Sequence, residues 1–158
     1  MKEFLIKSNM KLLVRPATID DLKPLCELLD LLFTQEADFT PDHSRQEQGL
    51  RLIIENPTVG RIYCATESDR IIGMVNLLFT VSTAEGGPVA WLEDMIVHPS
   101  RRGQGIGEQL LQTAIAEARS SGCLRITLLT DTTNQSAVRF YTRSGFTPSH
   151  MMPLRLKL

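Results

Sequence analysis

The spacing of apolar side chains divides the first third of the chain into two predicted helices. From Leu22 to Leu32, leucines recur every three or four residues, which is the period of an amphipathic helix. Thr18, followed three residues later by Asp21, predicts a capping box at the start of this helix. A second helix is predicted over residues 45–56, where apolar side chains again recur at helical spacing. The polar stretch between the two helices is predicted to be a loop.

Elsewhere in the chain the apolar pattern repeats every second residue, as in β-strands. Strands are predicted over residues 12–15, 61–66, 71–83 and 89–97. Short connections join the last three of these strands and predict an antiparallel meander. A helix over residues 107–120 and a parallel strand over residues 123–130 then form a β-α-β unit. A short helix over residues 134–144 and a last strand over residues 151–158 follow.

These elements predict a mixed α/β fold in one domain. A single central mixed sheet is expected, with the antiparallel meander running into the β-α-β unit and with helices on both faces. The chain has 158 residues, of which 42% are hydrophobic and 22% charged, and this composition suits one globular domain. We expect residues 1–11 to form a loose N-terminal leader and residues 12–158 to form the domain.

Charge and cysteine content exclude several classes of protein. A formal net charge of −1 lacks the basic character of a nucleic-acid-binding domain. The three cysteines, Cys26, Cys64 and Cys123, are far apart and form no disulfide or zinc pattern, so buried reduced thiols are expected. No apolar run is long enough for a signal peptide or a membrane-spanning helix. We therefore expect a cytoplasmic protein without a metal, a nucleic-acid partner or a membrane partner.

A glycine-rich segment connects the predicted strand 89–97 to the helix that follows. It reads Arg101-Arg102-Gly103-Gln104-Gly105-Ile106-Gly107. Closely spaced glycines and the free N–H groups of a helix N-terminus together favour a phosphate or pyrophosphate site, and the two arginines would add charge at its rim. Because Glu108 follows Gly107, the segment is neither a Walker loop nor a complete dinucleotide fingerprint. The alternative is a tight turn that needs glycine for its geometry alone.

This segment resembles motif A of the GNAT superfamily of N-acetyltransferases, Gln/Arg-x-x-Gly-x-Gly/Ala, at Arg102, Gly105 and Gly107. The strand before it, which reads Leu92-Glu93-Asp94-Met95-Ile96-Val97-His98-Pro99, is similar to the strand that precedes the motif in that family. A second family motif is resembled downstream by Asn134, Ala137, Phe140-Tyr141 and Gly145-Phe146. The opening Arg15-Pro16-Ala17-Thr18 with Asp20-Asp21-Leu22 is similar to the family's first strand and helix. The resemblance implies the acyl-CoA N-acyltransferase fold.

The resemblance also implies direct acyl transfer from acetyl-CoA, as co-substrate, to a primary amine. In the family the strand before motif A separates from the next parallel strand, and pantetheine pairs with its free edge. The residues that would pair with pantetheine are Met95, Ile96 and Val97, and the N–H near Met95 would polarise the thioester carbonyl. Those that would hold the pyrophosphate are Arg102, Gly103, Gln104, Gly105, Ile106 and Gly107. Asn134 and Ser136 would contact the cofactor from the opposite side.

Two catalytic groups are expected from the same resemblance. An alkyl amine with a pKa of about 10.4 must lose a proton before it attacks, so a base is needed. Glu93 and Asp94 are the candidates; alternation would point them to opposite faces of the sheet, and the resemblance favours Glu93. Tyr141 would donate to the departing thiolate, the alternative being an aromatic ring that only packs in the core. His43, His98 and His150 form neither a metal site nor a triad and are expected in surface or turn positions.

The acceptor is predicted to be a small amine. Glu36, Asp38 and Asp42 lie in the loop between the first two helices, where they would suit a cationic amine or would simply be solvated. A protein N-terminus or lysine is the nearest alternative acceptor. A non-catalytic acetyl-CoA-binding module is an alternative of another class, which the presence of Tyr141 at its motif position disfavours. A homodimer is compatible with these residues.

Overall fold

The computed structural model describes residues 12–158, and the predicted leader lies outside the described residues. Its centre is one five-stranded sheet in the order β1-β2-β3-β4-β5. The strands are β1 (Leu12–Pro16), β2 (Gly60–Glu67), β3 (Arg70–Ser82), β4 (Gly87–Val97) and β5 (Ile126–Leu128). The first four strands pair antiparallel, and β5 pairs parallel to β4. The predicted mixed sheet, with a meander that runs into a β-α-β unit, is confirmed.

Helices cover both faces of this sheet, as predicted. The α-helices in the described part of the chain are α1 (Leu22–Gln35), α2 (His43–Glu55), α3 (Ile106–Ser120) and α4 (Gln135–Arg143). On one face, α1 and α2 bury Leu25, Leu29 and Leu50 against Cys64, Met74 and Ile96 of the sheet. On the other face, α3 buries Leu110 and Leu111 against Val75, Leu77 and Leu92, with aromatic residues of α4 at the edge.

The start of α1 is fixed by a charged cluster that the sequence predicted in part. The carboxylate of Asp21 accepts hydrogen bonds from the backbone N–H of Thr18 at 2.8 Å and from its hydroxyl at 3.1 Å. Both carboxylate oxygens also accept from the guanidinium of Arg15, at 2.7 and 2.9 Å. The predicted capping box of Thr18 and Asp21 is confirmed, at a short 3₁₀ turn (Ile19–Asp21) that leads directly into α1. The Arg15 contact ties β1 to α1, and it lowers the pKa of Asp21, whose side chain is buried.

Asp21→Asn is expected to lower the free energy of unfolding at pH 7 by about 2 kcal/mol, because a charge-assisted bidentate contact is lost. The folded-state pKa of Asp21 lies below its unfolded value, so its contribution is complete above about pH 4 and is lost as pH falls through the folded pKa. Urea unfolding of wild type and variant should therefore converge in acid. Glu27→Gln, which removes an exposed carboxylate from α1, is the matched control. A difference that is constant with pH would contradict this account.

The predicted strand over residues 151–158 is wrong. These residues have no regular secondary structure. Five large apolar side chains are between 77% and 111% exposed: Met151, Met152, Leu154, Leu156 and Leu158. Alternation specifies which face a strand would bury but not which edge it pairs with, and Pro153 lacks a donor for any ladder. The segment instead contacts the loop after α1 through Arg155.

Candidate active site

The strands β4 and β5 pair over only three residues each and then separate. The pairs are Ala90 with Ile126, Trp91 with Thr127 and Leu92 with Leu128. The strand predicted over residues 123–130 is thus shorter than expected. Beyond Leu92, residues 94–97 of β4 remain paired with β3 but not with β5. The edge of β4 that faces β5 therefore has no strand partner over Met95, Ile96 and Val97, which is the separation of strands that the resemblance implied. That these residues pair with pantetheine stays a prediction.

A β-bulge lies in β4 at the point where the two strands separate. Asp94 faces Asn76 of β3 and Leu92 faces Leu77, so Glu93 has no partner residue across the ladder. An extra residue of this kind shifts the alternation of the strand by one position. The sequence signal for the bulge is Glu93-Asp94, two consecutive charged residues inside an apolar strand.

The bulge places both acidic residues on the face of the sheet that α1 covers. Leu92 on one side and Met95 on the other both pack toward α3, so the two residues between them face away from α3. The prediction that Glu93 and Asp94 point to opposite faces is wrong for this reason. Consistent with this, the negative charges of both act on the carboxyl of Glu36, at the end of α1. Both can reach the same side of the cleft.

Asp94 is the more buried of the two, and a side-chain amide holds it. The Nδ2 group of Asn76 donates to Oδ2 of Asp94 at 3.0 Å, and Asn76 is only 2% exposed. Burial, together with the charge of Glu93, raises the pKa of Asp94 to about 6. The Oδ1 atom of Asn76 is buried without a hydrogen-bond partner in the described part of the chain. Glu93 itself is exposed.

Glu36 follows the last residue of α1 and links the acidic residues to the aromatic side of the cleft. It is half-buried. Burial raises its pKa to about 7, with further contributions from the negative charges of Asp94, Asp131, Glu93 and Asp38. The sequence analysis named Glu36 and Asp38 as candidate acceptor-binding residues in the loop between α1 and α2. It did not predict that the pKa of Glu36 would be raised. Because its environment combines elements that are distant in the chain, local pattern carried no signal for it.

Asp42, the third acidic residue named as a candidate for binding the acceptor amine, has a structural role instead. Its side chain accepts from the backbone N–H of Arg45 at 3.1 Å and so caps the N-terminus of α2. The reading of Asp42 as an acceptor residue therefore has no support from its contacts.

Tyr141 lies near the end of α4 among aromatic rings. Its ring is edge-on to Phe140 at a centroid distance of 5.2 Å and to Phe146 at 5.7 Å. Burial and the charge of Glu36 raise its pKa to about 12. Within residues 12–158 no hydrogen-bond partner of its hydroxyl is found. The ring packs, as the alternative reading proposed, while the hydroxyl remains available to a ligand near Glu36.

The glycine-rich segment forms an open loop at the start of α3. Gly103 and Gly105 have φ angles of 74° and 78°, a left-handed conformation that favours glycine. A Cβ at either position would meet no atom within 4 Å, so conformation, and not crowding, requires glycine there. Gly105 precedes α3, and the first turn of the helix presents backbone N–H groups that have no partner within the helix. Such a loop fits the pyrophosphate of a CoA ester.

The two arginines of the loop are not equivalent. Arg101 pairs with Glu67 at the end of β2, so its charge is already balanced. Arg102 donates through Nε to the carbonyl oxygen of Val97 at 3.1 Å and reaches Oε1 of Gln35 at 3.4 Å. Arg101 is therefore the less suited of the two to supply charge at the rim of the loop, and that role of Arg102 stays a prediction.

Asn134 and Ser136 lie in the first turn of α4 and its cap. The Oδ1 atom of Asn134 accepts from the backbone N–H of Ala137 at 3.0 Å, which makes Asn134 the N-cap of this helix. The sequence reading missed this structural role, although asparagine before a short helix is its usual signal. Ser136 is exposed. Their contact with the cofactor stays a prediction.

The remaining candidates for reactive or metal-binding groups are structural. Cys26 and Cys64 are buried free thiols, as predicted, whereas Cys123 is half-buried. Burial is the main cause of the raised pKa of each of the three thiols. Among residues 12–158 no group of three His, Cys, Asp or Glu side chains is arranged to hold a metal ion. None of the helices in this same range is long and apolar enough to cross a membrane.

Known proteins share this sequence pattern and fold. The model of the acetyltransferase (GNAT) family matches residues 23–146. A glucosamine 6-phosphate N-acetyltransferase of Trypanosoma brucei brucei is 32% identical over 101 residues, 63% of this chain and 66% of that protein. An aminoalkylphosphonate N-acetyltransferase of Salmonella typhimurium is 29% identical over 137 residues, 87% of this chain and 86% of that protein. The structure of an aminoglycoside N-acetyltransferase with CoA shares the fold, at a TM-score of 0.82 and 18% identity over 97% of this chain and 99% of that one.

Proposed function

The chain belongs to the acetyltransferase (GNAT) family and is an acetyl-CoA-dependent N-acetyltransferase, and we propose that it acetylates a small-molecule primary amine by direct transfer in the cleft between β4 and β5. The observation that carries this proposal is the opening of the sheet after Leu92, next to the glycine loop. The two relatives described above are both named for small amines. Three free thiols fit a reducing compartment, which supports the cytoplasm as its location.

We propose that acetyl-CoA binds along the open edge of β4, where it supplies an activated acetyl thioester. The backbone groups of Met95, Ile96 and Val97 would pair with pantetheine, and an N–H near Met95 would stabilise negative charge on the carbonyl oxygen. The pyrophosphate would lie on the loop formed by Arg102, Gly103, Gln104, Gly105, Ile106 and Gly107. Asn134 and Ser136 would contact the cofactor from the side of α4.

The proton transfers follow from the groups that face the cleft. The amine must lose a proton as its new N–C bond forms and the C–S bond breaks. We propose Asp94 as the proton acceptor, because its raised pKa of about 6 lies closer to neutrality than that of an ordinary carboxylate. Glu93, which the family resemblance favoured, then contributes the neighbouring charge that helps to raise that pKa. The Tyr141 hydroxyl would donate a hydrogen bond to the departing sulfur.

Gly105→Glu is expected to raise the Kd for acetyl-CoA by about 100-fold or more, because a side chain and a negative charge enter the pyrophosphate loop. Gly86→Glu is the matched control, since Gly86 has a similar φ of 76° with open space around it but lies in the turn between β3 and β4. Isothermal titration calorimetry with acetyl-CoA measures both. An unchanged Kd in a folded Gly105→Glu protein would refute the assignment of this loop.

A further inference from the structure

Negative charge dominates the side of the cleft that α1 covers. The charges that raise the pKa of Glu36 come, in order, from Asp94, Asp131, Glu93 and Asp38. These residues belong to three separate segments of the chain, β4, the loop after α1 and the segment after β5, so the fold, and not one acidic stretch, brings them together. Such a cleft attracts a cation and repels an anion.

A buried amide next to these carboxylates lacks a hydrogen-bond donor. The Oδ1 atom of Asn76 has no partner in the described residues, and its Nδ2 atom is already bonded to Asp94. Since the carboxylate and the amide oxygen are both acceptors, neither can satisfy the other. A protonated amine carries three N–H donors and would match this pair of acceptors. The unpaired oxygen of Asn76 is an observation independent of the negative charges around Glu36.

A cationic side chain of the chain itself contacts the outer part of the same loop. The Nη1 atom of Arg155 lies 2.9 Å from Oδ2 of Asp38, and its guanidinium carbon lies 5.2 Å from the centre of the Phe39 ring. A carboxylate beside an aromatic face is a recognised arrangement for binding a cation. Because the side chains of Arg155 and Asp38 are 56% and 64% exposed, the contact is weak enough for a ligand to replace it.

We propose, on the basis of the acetyl transfer proposed above, that the acceptor is an amine that carries a second positive charge. The reacting amine lies among Glu36, Asp94 and Asn76, and the second cation takes the place of Arg155 on Asp38 and Phe39. An amine with a phosphate or phosphonate group is disfavoured, because its negative charge would enter the same acidic surroundings.

Three amines of matched chain length test the charge preference: diaminopentane, aminopentane and aminopentylphosphonate. At saturating acetyl-CoA, release of the CoA thiol gives kcat/KM for each, and mass spectrometry identifies the product. We expect diaminopentane to exceed aminopentane by about tenfold or more, with the phosphonate lowest. Equal values for the diamine and the monoamine, or the highest value for the phosphonate, would overturn the inference and leave acetyl transfer intact. Thiol release with none of the three would count against the acetyl transfer itself and the inference with it.

Two variants locate the second cation. Asp38→Asn should raise KM for diaminopentane about tenfold with little change in kcat, whereas Arg155→Ala should lower that KM because a competitor is removed. Calorimetric binding of diaminopentane to the protein without acetyl-CoA should change in the same directions. Asp69→Asn, which removes a carboxylate from the distant β2–β3 turn, should leave both readouts unchanged. If Asp38→Asn affects the diamine and the monoamine equally, Asp38 does not bind a second cation.

Discussion

Asp94→Asn is expected to lower kcat/KM for the acceptor amine by about 10²- to 10⁴-fold, the range found for general acid–base groups. The amide keeps the shape of the carboxylate and its contact with Asn76 but cannot accept the proton. In wild type, the acid limb of the pH profile should lie between pH 6 and 7, where Asp94, with a pKa of about 6, and Glu36, with one of about 7, ionise. Activity is present above these values and is lost below them. Steady-state kinetics from pH 5 to pH 9 measure this profile.

Glu93→Gln is the matched comparison, because it removes the adjacent charge in the same bulge. Its loss of activity should be smaller, and the acid limb should move to lower pH, since Glu93 contributes to the raised pKa of Asp94. A larger loss in Glu93→Gln than in Asp94→Asn would instead identify Glu93 as the base, the role that the sequence resemblance favoured.

The same Asp94→Asn variant should be more stable than wild type, which separates a catalytic loss from misfolding. The folded-state pKa of Asp94 is about 6, above an unfolded value of about 3.9, so its ionised form destabilises the folded state. This cost is absent below the unfolded pKa and grows as pH rises toward 6. At pH 8 we expect a gain of about 2 kcal/mol in the free energy of unfolding, and none at pH 3.5. Lower stability at pH 8 would contradict the account of Asp94 as a strained buried charge.

Local patterns were sufficient for much of this fold. The capping box at Thr18, the glycine-rich turn before α3 and the meander all depend on residues close together in the chain, where short-range sterics and hydrogen bonds decide the outcome. The bulge also had a local signal in Glu93-Asp94. Ordinary alternation would place these two side chains on opposite faces of the sheet, and the extra residue of the bulge is what changes this.

Features that depend on residues distant in the chain could not be predicted from the sequence pattern. The apolar alternation of residues 151–158 predicted a strand, but a strand exists only where an edge is free to pair with it. The raised pKa of Glu36 comes first from burial and then from the charges of carboxylates in β4 and in the segment after β5, which are distant in the chain. Asn76, a polar residue within an apolar strand, was visible as an irregularity, but only the register of β3 against β4 shows that it contacts Asp94.

Tyr141→Phe is expected to lower kcat and kcat/KM together by about 10²- to 10³-fold, the cost of losing one donor to charge that develops in the transition state. A full proton transfer is disfavoured: from a phenol with a pKa of about 12 to a thiolate with a conjugate-acid pKa of about 8.5, it is uphill by about 5 kcal/mol. The hydroxyl therefore acts as a neutral hydrogen-bond donor, and its loss should not move the acid limb of the pH profile.

The other tyrosine of the chain provides the opposite control. Tyr63 donates its hydroxyl to Glu117 on α3, away from the cleft, so Tyr63→Phe should lose about 1 kcal/mol of stability and no activity. Tyr141→Phe should do the reverse, because its ring still packs on Phe140 and Phe146 while its hydroxyl contributes no bond to the folded state. Turnover and urea unfolding of both variants separate the two roles of a tyrosine hydroxyl. If Tyr141→Phe retained near-normal kcat, the hydroxyl would have no part in the reaction, and water would protonate the thiolate.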